Sequence, residues 1–192
     1  MTPDELATLR ALTARLVPGP PEDRDPGALE AGAAEAIARL LQAFDEPEPP
    51  IHAARGGGFI PLDPVAELGW RMRIEGLASR ISHGLASLNQ EARNRCGEAF
   101  THASASDQDE VLGAPELADF VELVLMLTLD AVYGSPAYGG NRNEVGWRPL
   151  GWPGFTQPDG FTPEQVSEPD GGASASLDAE LPGATGWDVR RD

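Results

Sequence analysis

Three histidines (His52, His83 and His102), a single cysteine (Cys96) and a scatter of carboxylates are the residues of this chain that carry reactive chemistry. Metal binding on a helical scaffold needs ligands repeated on one face, as in Glu-x-x-His or His-Glu-x-x-His patterns. No histidine stands in either pattern or beside a cysteine cluster, so neither a di-iron bundle nor a zinc site is expected. Ser82 and His83 are adjacent and would point to different faces of a helix, and no Gly-x-Ser-x-Gly elbow exposes a serine nucleophile. Gly56-Gly57-Gly58 follows no predicted strand and lacks phosphate-loop spacing, so it reads as a flexible loop. Asp107, Asp109 and Glu110 read as a solvated helix end in so acidic a chain. All fourteen basic residues are arginine, which removes lysine-based Schiff-base chemistry. Cys96 has no intrachain partner and reads as a small buried hydrophobe, the alternative being a bond to a partner's cysteine. The residues therefore predict no catalytic, cofactor-binding or metal site, and a protein that acts by binding. The Arg71-Met72-Arg73 and Arg93-x-Arg95 pairs read as local ion pairs or as cation sites for an acidic partner surface.

At 192 residues the chain has room for one domain and a tail. Its net charge of -17 and pI near 4.4 exclude nucleic acid and anionic membranes as partners, because phosphate-rich surfaces demand clustered cations. The opening Met1-Thr2-Pro3-Asp4-Glu5 has no basic or apolar leader region, so the expected location is cytoplasmic, or extracytoplasmic if the chain is exported with a partner. Direct membrane insertion is not expected: the most apolar stretch, Phe120 to Leu129, contains Glu122 and is far shorter than the roughly 20 residues a span requires.

The elements that must position any binding surface are mainly helical. Thr2-Pro3-Asp4-Glu5 is a capping box with proline at the first helical position, followed by Leu6, Leu9, Leu12 and Leu16 at helical spacing to about Val17. Pro18-Gly19-Pro20-Pro21 ends that helix, and Asp25-Pro26 opens a second with a stripe of Leu29, Ala33, Ile37, Leu40, Leu41 and Phe44. A loop spans Asp45 to Pro61. Asp63-Pro64 starts a third helix, read with one apolar face through Val65, Leu68, Met72, Leu77, Ile81, Leu85 and Leu88 to about Asn89. Short helices at Gln90 to Cys96 and Ser106 to Leu112 lead into a main helix from Pro115 to Tyr133, whose apolar residues on nearly every face place it at the centre of the bundle. The predicted fold is a mainly α, compact bundle of about five helices in residues 1–154.

After Gly134 turn residues alternate with large aromatics. Tyr133, Tyr138, Trp147 and Trp152 sit in a glycine-rich ribbon, and rings of that size must press against either their own bundle or another chain. Both can hold together, some rings turned inward and some outward. Residues 155–192 are rich in proline, serine, glycine and acid, which predicts an extended or disordered tail.

The segment from Tyr133 to Gly154, with its Tyr138-Gly139-Gly140-Asn141 step, its Gly146-Trp147 and its closing Gly151-Trp152-Pro153-Gly154, resembles the signature of the gluconate 2-dehydrogenase subunit 3 family. Weaker similarity extends over most of residues 4 to 154. The resemblance implies a small, non-catalytic subunit that binds, stabilises and helps mature or export a large FAD-dependent dehydrogenase of the glucose-methanol-choline type, acting on sugars, sugar acids or glycosides. No cofactor is implied in this chain; FAD belongs to the partner, and a cytochrome subunit is a further partner in such complexes. Tyr138, Asn141, Arg142, Trp147 and Trp152 are the expected anchors, with Gly139, Gly140, Gly146, Pro153 and Gly154 shaping the partner-binding ribbon. The alternative is an independent helical domain that binds a small molecule or regulates. This sequence departs from the family pattern in carrying Asp130 where glutamate is common, in lacking a leader, and in its long acidic tail.

Overall fold

Thr2 caps the first helix as its sequence demands: its hydroxyl accepts from the Glu5 N–H at 3.2 Å, and the Glu5 carboxylate accepts from the Thr2 N–H at 2.7 Å. The computed structural model describes residues 1–54 and 58–152, and among these the regular elements are all helices, with no strand. Helix α1 runs Pro3–Leu16, α2 Ala28–Ala31, α3 Ala33–Leu41, α4 Pro64–Cys96, α5 Ala105–Leu112 and α6 Ala118–Tyr133. The mainly α bundle is therefore as predicted, with six α-helices among the described residues. No helix among them is long and apolar enough to cross a membrane. Arg55, Gly56 and Gly57 lie outside the described residues, as do Pro153, Gly154 and the tail.

Three expectations need correction. The second helix is not continuous: Gly32 adopts a left-handed conformation, φ +70°, ending α2 and starting α3. The left-handed backbone is what favours glycine here; a Cβ would also fall 2.3 Å from Nε of Arg142, a half-exposed side chain that lies across the break and would have to move. The break turns Leu29 outward to 60% exposure, off the stripe that buries Ala33 and Ile37. Second, α4 does not stop at Asn89 but runs unbroken for 33 residues. Asn89 lies inside the helix and bonds to other elements: its Nδ2 donates to Thr8 Oγ1 at 3.1 Å and its Oδ1 accepts from the Phe100 N–H at 3.1 Å. Third, α4 has two apolar faces and not one. Ile74, Ile81, Leu85, Leu88 and Ala92 are buried, whereas Val65, Leu68 and Met72 are 81%, 60% and 67% exposed. At 100° per residue these two sets lie on opposite sides of the helix.

The main core joins Leu9 and Leu12 of α1, Ile37 of α3, Ile81, Leu85 and Leu88 of α4, and Val124 of α6 around the fully buried Phe100. Each such side chain contributes roughly 1.5–3 kcal/mol of apolar burial. Helix α6 packs against α1, α2, α3 and α4, the central place its composition predicts. Its outer face is open, with Met126 55% and Tyr133 44% exposed. Where α2 meets the end of α6 the core narrows to Ala28, Ala31, Ala33 and Val132, small residues that bring the two backbones close. On the α1 side Arg15 clamps Asp109 of α5 with two bonds of 2.6 and 2.7 Å and reaches Glu22 at 2.6 Å. The hydrogen bond from Arg15 holds the Asp109 carboxyl below its ordinary range.

Candidate functional site

Helix α6 ends at Tyr133, and the chain then folds straight back over its last turn. The Asn141 N–H donates to the Ala131 carbonyl at 2.7 Å, pinning the ribbon to the helix. The approach leaves no room for side chains: a Cβ on Gly140 would lie 2.2 Å from the Ala131 oxygen, and one on Gly146 would lie 2.1 Å from the Val132 oxygen. Asn141, fully buried at φ +43°, closes the loop on itself. Its Nδ2 donates to the Gly134 carbonyl and its Oδ1 accepts from the Gly146 N–H, both at 2.9 Å. Asparagine tolerates the left-handed region better than most residues with a side chain, and its short amide supplies a donor and an acceptor together. Trp147, 6% exposed, donates its indole N–H to the Tyr133 carbonyl at 2.7 Å, one of the last carbonyls of α6 that has no helical partner.

The predicted anchors thus separate into two sets. Gly140, Asn141, Gly146 and Trp147 are buried in the ribbon's own seam, so they hold its shape and are not themselves a contact surface. Tyr138, Arg142 and Trp152 face outward, Tyr138 at 39% and Trp152 at 54% exposure, while Gly139 is half-buried. Pro153 and Gly154 lie outside the described residues. Two outward apolar residues were not singled out from sequence: Leu150, 67% exposed, and Met126 on α6. The signal for Leu150 was its place in a proline-glycine turn two residues before a tryptophan, where no periodicity gives it a core face.

Tyr138 is held at its hydroxyl, which accepts from the Ala53 N–H at 3.1 Å, while its ring leans on Phe59. Arg39 ties this end of the ribbon to α3, donating to the Ala137 carbonyl at 3.1 Å and to both carboxylate oxygens of Glu46 at 2.6 and 2.7 Å. The Arg39 hydrogen bond holds the Glu46 carboxyl below its ordinary range. A depressed folded-state pKa adds stability that is present above the unfolded-state pKa and lost as pH falls through the folded-state value. Glu46→Gln should therefore be less stable than the wild type at neutral pH, and the difference should begin to shrink as pH falls below the ordinary glutamate value of about 4.3 and close only below the lowered folded-state value. Melting temperatures of both proteins across pH 3 to 7 measure it.

Between α3, α6 and the loop before α4 lies an apolar cleft of about 350 Å³, walled by Ile37, Leu40, Ile51, Trp70 and Leu127. Asp130, Ser135 and Tyr138 supply its polar rim. Of the other reactive groups, His52 stands edge-on to the Trp70 ring at the cleft wall, with centroids 5.7 Å apart, while Ser82, His83 and Cys96 are engaged elsewhere. Ser82 donates to Glu5 at 2.6 Å, His83 bonds back to the Ser79 carbonyl at 2.8 Å, and the Cys96 thiol donates to the Ala92 carbonyl at 2.9 Å. Among the described residues no three of His, Cys, Asp and Glu gather as a metal-ligand set.

A family model described as gluconate 2-dehydrogenase subunit 3 matches residues 3–154, from the first capped helix to the end of the ribbon. The chain belongs to the gluconate 2-dehydrogenase subunit 3 family. No curated protein and no solved structure matches it. Membership in subunit 3 makes this chain kin to one part of a dehydrogenase assembly, and so implies a partner. The ribbon that carried the resemblance is the segment whose glycines and asparagine the backbone geometry requires.

Proposed function

We propose that this chain is a non-catalytic accessory subunit that binds a large FAD-dependent dehydrogenase of the glucose-methanol-choline type, stabilising it and assisting its maturation or export. The binding unit is residues 1–154, with the acidic stretch from residue 155 as an appendage. The flavin and the sugar, sugar-acid or glycoside substrate belong to the partner. A cytochrome subunit is a further candidate member of the assembly. The observation that carries this reading is the match to a family of dehydrogenase subunits across residues 3–154. The geometry supports it: a rigidly pinned ribbon leaves Tyr138, Leu150 and Trp152 exposed, together with Met126 and Tyr133 of α6. Apolar and aromatic groups on a pre-organised frame bind at small entropic cost.

Deletion of the gene in its host should abolish or sharply reduce the dehydrogenase activity of the assembly, and re-expression of this chain should restore it. Undiminished activity in the deletion strain rejects the proposal. Trp152→Ala should leave the stability of the isolated chain within about 0.5 kcal/mol of wild type, as expected for an exposed site. The same variant should weaken capture of the flavoprotein. Equal capture by Trp152→Ala would remove that ring from the interface.

The cleft favours a second reading, a helical domain that binds a small apolar molecule, since sites of this kind are mostly apolar with a few polar groups at the rim. Ligand-induced stabilisation of the isolated chain would support it, and a screen of small aromatic compounds that shifts no melting temperature would remove it.

A further inference from the structure

The cleft beside α6 has a sign of charge as well as a shape. Asp130 is the one charged residue among those that line it, and it stands exposed at the mouth. Among the described residues its carboxylate makes no hydrogen bond and no ion pair. The two guanidiniums that reach rings around the cleft are spent elsewhere: Arg39 is held by Glu46, and Arg73 lies over the Trp70 ring at 4.6 Å. Asp130 also stands in the last turn of α6, which holds no basic residue. The carboxyl end of a helix carries partial negative charge and favours cations, so an acid there works against the helix. The ribbon meets the Ala131, Tyr133 and Gly134 carbonyls with neutral donors, the Asn141 backbone and amide N–H groups and the Trp147 indole, which leaves the charge unmatched. The hydroxyls of Ser135 and Tyr138 on the rim can donate or accept and select no sign.

We infer that the cleft binds a small organic cation with an apolar body, an aryl- or alkylammonium, whose charged head sits on Asp130. The inference rests on the second reading above, the cleft as a small-molecule site, and is independent of the accessory-subunit reading. Ile37, Leu40, Ile51 and Leu127 receive the apolar body, and a volume of about 350 Å³ is at the small end of ligand pockets. The ammonium supplies the counter-charge that both Asp130 and the end of α6 lack. A carboxylate ligand meets repulsion from the same two sources, and a neutral one gains only the apolar contact.

The test titrates the full chain with 2-phenylethylamine, 2-phenylethanol and 3-phenylpropionate, a cation, a neutral analogue and an anion of similar bulk. It is run at pH 8, where an ordinary imidazole such as that of His52 is neutral and the amine is still charged. NMR shifts of the Trp70 indole and the Leu127 methyls place the binding in the cleft. The amine should bind about fivefold more tightly than the alcohol, the upper range for one exposed ion pair, and the acid more weakly than either. Asp130→Asn should bring the amine down to the alcohol, leave the alcohol unchanged, and leave the melting temperature equal or higher. Asp119→Asn, on the same helix but outside the cleft, should keep the fivefold preference, which separates a local contact from the general pull of a chain of charge -17. Equal binding of amine and alcohol, or a preference that survives Asp130→Asn, overturns the cation and leaves the apolar cleft. Amine binding that disappears when the flavoprotein complex assembles overturns the free ligand in favour of a cationic side chain of the partner. If none of the three compounds shifts Trp70 or Leu127, the small-molecule reading of the cleft fails and the cation falls with it.

Discussion

Trp147→Ala should destabilise the chain by about 3–5 kcal/mol, the range for removing a buried aromatic from a site that cannot collapse around the loss. The ring is 6% exposed and its indole N–H satisfies the Tyr133 carbonyl at the end of α6, so the substitution opens a cavity and orphans an acceptor together. In a domain of about 150 residues this corresponds to a fall in melting temperature on the order of 10 °C. Trp147→Phe separates the two contributions. It keeps most of the apolar area but gives the carbonyl no donor, and should cost about 1–2 kcal/mol. If Trp147→Ala melts with the wild type, the ring contributes nothing to the fold and the inward half of the ribbon has been misassigned.

Asn141→Leu tests the other pin. Leucine is close in volume but has no polar atom, so the Gly134 carbonyl and the Gly146 N–H lose their partners inside the seam. Each unsatisfied buried group costs about 1–3 kcal/mol, and leucine at φ +43° adds backbone strain. The expected total is roughly 3 kcal/mol or more. Because the damage is local, hydrogen exchange reads it best. The Gly146 and Asn141 amides should exchange about a hundredfold faster or more, at tenfold per 1.4 kcal/mol, while amides in the middle of α4 change less. Exchange at Gly146 as slow as in the wild type would show that another contact closes the ribbon.

These pins also mark the limit of what the sequence could reveal. Caps are local, so the starts of α1 at Thr2 and α4 at Asp63 were legible from three or four consecutive residues. The end of the last helix at Tyr133–Gly134 was legible for the same reason. The break at Gly32 was not, because it sits in an alanine-rich run that reads as continuous helix and a single glycine does not by itself announce a left-handed backbone. The expected stop near Asn89 failed in the opposite sense: the asparagine amide is engaged by Thr8 and Phe100 and the helix runs on. The two faces of α4 were in principle readable, since Val65, Leu68 and Met72 fall opposite Ile74 and Ile81 on a 3.6-residue period. Merging them into one stripe mistook a surface face for core. In the ribbon, glycine and aromatic spacing identified the segment and the family but not the direction of each ring. Direction is decided by which carbonyls of α6 lack partners, and Trp147 turns inward to one of them while Trp152 does not.

The central claim is that this chain works by holding a flavoprotein and carries no flavin itself. Affinity isolation of the tagged chain after co-expression with the large subunit, followed by light scattering and visible absorbance on the same particle, tests it most directly. The account predicts a complex with the mass of both chains, whose flavin band stays with the larger chain when the two are separated. A monomer free of flavoprotein, or a flavin band or substrate turnover that stays with this chain alone, would contradict it.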